Sequence, residues 1–307
     1  MIELFARSPK MRDAVGLAER VSSTDANVLI TGESGAGKDL LAAYIHSRSR
    51  RALQPLVKID CATLPAELIE AELFGYERGA FTGAGEAKPG RFEAAQKGTI
   101  VLDEIAHLST DAQAKLLRVI ETREFERLGG RKTIKVDARL IALTNVDLPA
   151  AVKIGRFRED LLYRLDVIHI RIPPLRERKE DLLKLIQNFV KHYSAKHGRK
   201  VDRVSAAALA VLQAYDYPGN VRELGNVIER LVIVATGKSI EEQDLPLNLS
   251  AAVNAQRQRQ KPPSLAELEA SYISEILAKT NGNKTECARI LGISRKNLYE
   301  KIARYGI

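Results

Sequence analysis

Cysteine is nearly missing from this 307-residue sequence: Cys61 and Cys287 stand far apart and in no metal-ligand spacing. That excludes a disulfide framework and a cysteine-built metal site, and reduced thiols in a cytoplasmic protein are the simplest reading. No stretch approaches the roughly 18 apolar residues of a membrane span, and the N-terminus lacks a basic-then-apolar signal pattern. A soluble, cytoplasmic chain without a membrane partner is therefore expected. No internal repeat is found.

Apolar content and positive charge are plentiful. Hydrophobic residues make up 45% of the chain, enough for a sizeable core, and the length allows two or three domains. The net charge is +9, and it is uneven: residues 251–307 carry ten Lys/Arg against five Glu. So basic an end favours a nucleic-acid partner there.

The most informative stretch is Gly32-Glu33-Ser34-Gly35-Ala36-Gly37-Lys38-Asp39. It follows the apolar run Val28-Leu29-Ile30, which reads as a buried parallel strand, and precedes a helix start at Leu40–Ile45. Strand, glycine loop and helix are the context of a phosphate-binding loop. The glycines let backbone N–H groups point at phosphate oxygens, the helix N-terminus adds its dipole, and Lys38 supplies a point charge. Most such loops carry Ser or Thr at the position of Asp39 to ligate Mg²⁺. Asp103-Glu104 closes a later apolar run, Ile100-Val101-Leu102. A carboxylate at that strand end can hold Mg²⁺, and Glu104 can act as general base on the attacking water.

Further strands are expected at 56–59, 99–102, 139–143 and 167–170, with helical patterns between them, so the first part of the chain reads as a parallel α/β sheet. After Pro173-Pro174 the patterns are helical only: 180–192, 205–214 and 221–236. Residues 246–264 read as a linker, with Ser264 and Glu267 able to form a capping box for the next helix. Residues 265–280, 284–291 and 294–302 form helical patterns joined by tight turns, which fits helix-turn-helix. Leu298 and Ile302 would then face the core, leaving Ser294, Arg295, Lys296, Asn297, Tyr299 and Lys301 nearer the DNA. Between the two nucleotide motifs lies Gly79-Ala80-Phe81-Thr82-Gly83-Ala84. It fits either a glycine turn that tucks Phe81 into the core or a mobile loop that presents Phe81 and Thr82 to a partner.

That last sequence resembles the signature loop of the bacterial enhancer-binding proteins, AAA+ ATPases that activate sigma-54 RNA polymerase, and the resemblance covers about residues 3–307. It implies an AAA+ core at 1–172, a helical lid at 173–245, the linker, and a Fis-type helix-turn-helix domain at 265–307. By the same resemblance residues 79–84 contact sigma-54, Asn145 is a first sensor of the γ-phosphate, and Arg222, in Tyr217–Leu224, is a second. Arg158 and Arg164 are candidates for reaching a neighbouring subunit's ATP, although ordinary pairing with Glu159 or Asp160 also fits their spacing. ATP and Mg²⁺, a hexameric ring, upstream double-stranded DNA and the sigma-54 holoenzyme are the implied cofactors and partners. The sequence starts close to the ATPase, as in the phage-shock-activator-like type without an N-terminal regulatory domain: either a separate regulatory protein supplies the control, which is the expectation, or Met1 begins a piece of something longer.

There are departures from the family. Tyr217 stands where Trp is usual, and Asp39 where Glu is common. Asp60 replaces an Asn that in many members holds the catalytic Glu in an off state, and it would repel Glu104 unless one of the two is protonated or rotated. The alternative function is an ATP-assembled, sequence-specific DNA-binding regulator that never touches sigma-54. The intact Phe81-Thr82 pair and Glu104 count against it.

Overall fold

Five apolar runs build one parallel sheet, which we number β1 (Val28–Thr31), β2 (Leu56–Asp60), β3 (Thr99–Asp103), β4 (Arg139–Thr144) and β5 (Ile168–Arg171). Their order across the sheet is β2-β3-β4-β1-β5, every pair parallel. The structure is a computed structural model and describes residues 6–246, 249, 251 and 264–306, without the side chains of residues 66, 67 and 267. The linker expected at 246–264 lies almost wholly outside the described residues, as does the Glu267 side chain of the expected capping box.

Residues of β1, β3 and β4 are buried on both faces, as their unbroken apolar runs require. Leu29, Ile100, Leu102, Leu140 and Ala142 pack with the helix Thr110–Thr122 on one side of the sheet. Val28, Ile30, Val101, Ile141 and Leu143 pack on the other side with the helices Pro9–Ser22 and Lys38–Ser47. Each fully buried Leu or Ile contributes about 1.5–3 kcal/mol. β2, at the edge, alternates: Val57 and Ile59 join the first core, which leaves Lys58 and Asp60 on the opposite face.

Elements shorter than the patterns could reveal also appear. These include the helices Ala66–Phe74, Leu148–Lys153 and Glu159–Leu165 and two antiparallel ribbons. One ribbon pairs Gly75–Tyr76 with Lys88–Pro89, the other Glu124–Glu126 with Thr133–Lys135. After the sheet come the helices Lys179–Lys196, Ala206–Ala214 and Asn220–Val234. Tyr217 is buried there and donates to the Leu212 carbonyl at 2.8 Å, so its hydroxyl is satisfied inside the core.

The chain divides into two compact units, 1–245 and 246–307. The second holds the helices Leu265–Lys279, Lys284–Leu291 and Arg295–Tyr305 around Ile273, Ile276, Cys287, Ala288 and Leu298. Among the described residues, no helix is long and apolar enough to cross a membrane.

Candidate functional site

The C-terminal ends of the strands converge where β1 lies between β4 and β5, the position at which open α/β sheets receive ligands. A cleft of about 350 Å³ opens there. Ser34, Gly35, Gly37, Lys38 and Asp39 line its floor, Asp103 and Glu104 one wall, and Phe189, Tyr193 and Arg222 from later helices the other. Lys38 is 7% exposed, and its Nζ donates to the carbonyls of Gly32 (2.9 Å) and Glu33 (3.4 Å) while lying 3.7 Å from Glu104 Oε1. Glu104 Oε2 accepts from the backbone N–H of Asn145 at 3.3 Å, so the ends of β3 and β4 are tied at the acid. Glu104 has φ 51° and ψ 48°, a left-handed conformation uncommon for a residue with a side chain and concentrated at functional positions.

Asp60 and Asp103 are register partners at the ends of β2 and β3. Asp60 is used locally, accepting from Ala62 N–H at 2.9 Å. Asp103 is paired instead with Lys58, at 2.9 Å, and the same ammonium lies 2.5 Å from Asp39. The oxygen donors of Asp39 and Asp103 beside a phosphate loop suit a divalent cation held by one or two carboxylates plus phosphate oxygens. Among the described residues, no group of three or more His, Cys, Asp or Glu could cage a metal without phosphate.

The lid docks directly on the loop. The N–H groups of Val221 and Arg222 donate to Gly35 O at 3.0 and 3.3 Å, and Arg222 Nη1 reaches Ser34 Oγ at 3.0 Å. Gly35 has φ 73°, and a Cβ on it would stand 2.4 Å from Gly219 O. Asn220, fully buried, donates to Glu33 Oε2 (3.0 Å) and Ser34 O (3.1 Å) and accepts from Leu175 N–H (2.7 Å). Arg176 completes a two-point clasp on the Glu33 carboxylate at 2.6 and 2.8 Å. The Arg176 and Asn220 hydrogen bonds hold Glu33 down to a pKa of about 2. Of the expected phosphate-loop residues, then, Glu33 turns its side chain to the lid rather than to the cleft. Ala36 likewise gives its carbonyl to the buried Arg178, at 2.6 Å. Lys58 and Arg176 lie outside every motif of the sequence, and Asn220, though inside the 217–224 segment, carries no side-chain role there. Strand alternation does put Lys58 on the same face as Asp60.

Neither Arg158 nor Arg164 lines the cleft. Arg158 forks onto Asp160 (3.0 and 2.7 Å), the ordinary pairing its spacing allowed, and Arg164 meets Glu121 at 3.1 Å, with both arginines at least partly exposed. Residues 79–84 do not tuck Phe81 into the core: it is 41% exposed and rests edge-on against Tyr76, with centroids 5.0 Å apart. The turn at 127–130 supports this loop. Gly129 approaches Ala80 so closely that a Cβ there would lie 2.9 Å from the alanine Cβ, and Arg127 pairs with Glu77 and Glu93.

In the second unit Ser294 caps the last helix, its Oγ accepting from Asn297 N–H, so its hydroxyl already has a structural task. Arg295, Lys296, Asn297 and Tyr299 are exposed, and Lys284 lies over the Tyr299 ring at 4.8 Å. Lys301 is held by Glu269 at 2.6 Å and is only 22% exposed. Leu298 is buried, and Ile302 packs partly buried against the same core, as their spacing predicted.

Three families match in succession: the Sigma-54 interaction domain over residues 4–171, the AAA+ ATPase lid domain over 176–262, and the Bacterial regulatory protein, Fis family, over 264–305. Regulatory protein AtoC of Escherichia coli K12 is 46% identical over 312 residues, spanning 99% of this chain and 68% of that protein. Transcriptional regulatory protein FlbD of Caulobacter vibrioides is 44% identical over 98% of this chain and 70% of that one. The solved structure of NtrX from Brucella abortus in complex with ADP superposes with a TM-score of 0.74 at 34% identity, over all of this chain and 70% of that one. The same protein in complex with ATP gives 0.73 at 35%, over 99% and 69%.

Proposed function

The chain belongs to the sigma-54-interacting AAA+ ATPases with a Fis-type DNA-binding end, and from that premise we propose that ATP is hydrolysed in the 34–39/103–104 cleft to drive the 79–84 loop against sigma-54. The protein is an ATPase and a sigma-54-dependent transcription activator that binds DNA through its C-terminal unit. The observation that carries the finer reading is the meeting of Lys38, Asp103, Glu104, the Asn145 backbone and Arg222 around one cleft.

In this reading Lys38 and the loop's N–H groups bind the β- and γ-phosphates, and Arg222 reaches them from the lid. Asp103 and Asp39 would hold Mg²⁺, which when bound neutralises charge on the phosphate oxygens. Glu104 accepts the proton of the attacking water, and Asn145 senses whether the γ-phosphate is present. Arg158 and Arg164 exchange their present carboxylate partners for the nucleotide of a neighbouring subunit, which makes the active form a homo-oligomer, a hexameric ring by family likeness. Their exposure outside the cleft supports this. The ring remodels the closed sigma-54 polymerase–promoter complex in the cytoplasm while the C-terminal units hold upstream DNA.

The test is binding to isolated sigma-54 with ADP and aluminium fluoride, wild type beside Thr82→Ala. A nucleotide-dependent complex is expected for the wild type and not for the variant, whose ATPase activity persists. An active wild-type ATPase that forms no such complex would sink the assignment.

A further inference from the structure

Lys58 sits on the edge strand, outside both nucleotide motifs, yet its ammonium bridges two of their carboxylates: Asp39 Oδ1 at 2.5 Å and Asp103 Oδ2 at 2.9 Å. Asp39 begins the helix after the phosphate loop, Asp103 ends β3, and Lys58 lies two residues before the end of β2. Three separate elements thus contribute to one charge cluster. As a stabilising contact it is weak, because the lysine and Asp39 are 43% and 49% exposed and such pairs contribute little. Its geometry asks for another explanation.

Two carboxylates with one ammonium between them carry a net single negative charge. That ammonium sits on the two carboxylates that would hold a divalent ion, and two cations would compete for them.

We propose that Lys58 is a positioning residue that competes with the metal: it holds Asp39 and Asp103 together and yields them only to a divalent cation that arrives with phosphates. Against bare metal Lys58 would keep both carboxylates, since it is tethered beside them and a metal held there would have only those two protein ligands. A nucleoside triphosphate on the loop would add anionic oxygens, for the metal and for the Lys58 ammonium alike. Lys58 therefore makes metal entry conditional on nucleotide. The inference rests on the assignment of Asp39 and Asp103 as the metal-holding carboxylates.

The test measures Mn²⁺ binding, by loss of the free-ion electron paramagnetic resonance signal, on the full chain without nucleotide. Lys58→Met and Lys58→Gln should each bind Mn²⁺ about tenfold more tightly than wild type, because an ammonium a few ångströms from a divalent ion repels it twice as strongly as it would a single charge, even through water. Lys58→Arg should stay near wild type. With a non-hydrolysable ATP analogue present, the gap between Lys58→Met and wild type should narrow. Unchanged nucleotide-free affinity in both Lys58→Met and Lys58→Gln overturns the competition. Asp103→Asn combined with Lys58→Met separates the two levels: the gain must disappear. A gain that survives puts the metal elsewhere and overturns the site assignment as well.

Discussion

Glu33 illustrates how far a residue's role can depart from its motif. Its place in the phosphate loop marks its backbone N–H as a nucleotide contact, while its carboxylate is clasped by Arg176 and Asn220 of the lid segment. The sequence spoke plainly about Lys38, Asp103 and Glu104 because short motifs carry their own local geometry. It was silent about Arg176 and Asn220 because their partners lie far along the chain and only the folded protein introduces them. The clasp has a pH signature. A carboxylate held at about 2, against an ordinary 4.5, adds stability that is fully present above about pH 4.5 and is lost as the pH falls through about 2. In urea unfolding at successive pH values, Glu33→Gln should be less stable than wild type by a constant margin above pH 4.5, and the margin should close below it. A margin independent of pH would mean that the ionised clasp contributes nothing. Since the pair is 40% exposed on both sides, the effect should be small and reduced by salt.

At the level of elements, periodicity found the five sheet strands to within a residue or so and the long helices nearly entire. Buried parallel strands announce themselves as apolar runs, and amphipathic helices as a 3.6-residue repeat. The ribbons at 75–76/88–89 and 124–126/133–135 escaped because strands of two or three residues have no measurable period and are defined by pairing alone. The C-terminal helices were legible because Leu298 and Ile302 mark the inner face of the last one. Leu298 is wholly buried in a core of few side chains. Its replacement by Ala should cost about 2–5 kcal/mol, a large share of what so small a unit can have. We expect Leu298→Ala to lose specific DNA binding in a gel-shift assay while ATP hydrolysis remains within about twofold of wild type. The factor is an order-of-magnitude expectation for a change far from the cleft. A parallel loss of both activities would mean that the two units fold as one.

For the whole molecule, the charge and the contacts divide at nearly the same place. The unit 1–245 contains the complete cleft, and removing 246–307 lowers the net charge from +9 to +4. A chain ended at Leu245 should keep nucleotide-dependent sigma-54 binding, measured by co-sedimentation, and lose DNA binding with its steep salt dependence. Retained DNA affinity with the same salt slope would move the DNA-binding face into the first unit. Within that unit, the contact of Gly35 with the carbonyl of Gly219 leaves no space for a methyl group, and Gly35 O receives two amides from the turn beyond it. Neither segment can drift alone: a bulkier residue at 35 demands that the 217–222 turn retreat and give up its grip on the loop. Two motifs that look independent on paper should consequently change as a pair in the course of descent, so a chimera joining one relative's phosphate loop to another's lid should work only where both sides of this backbone joint come from the same parent.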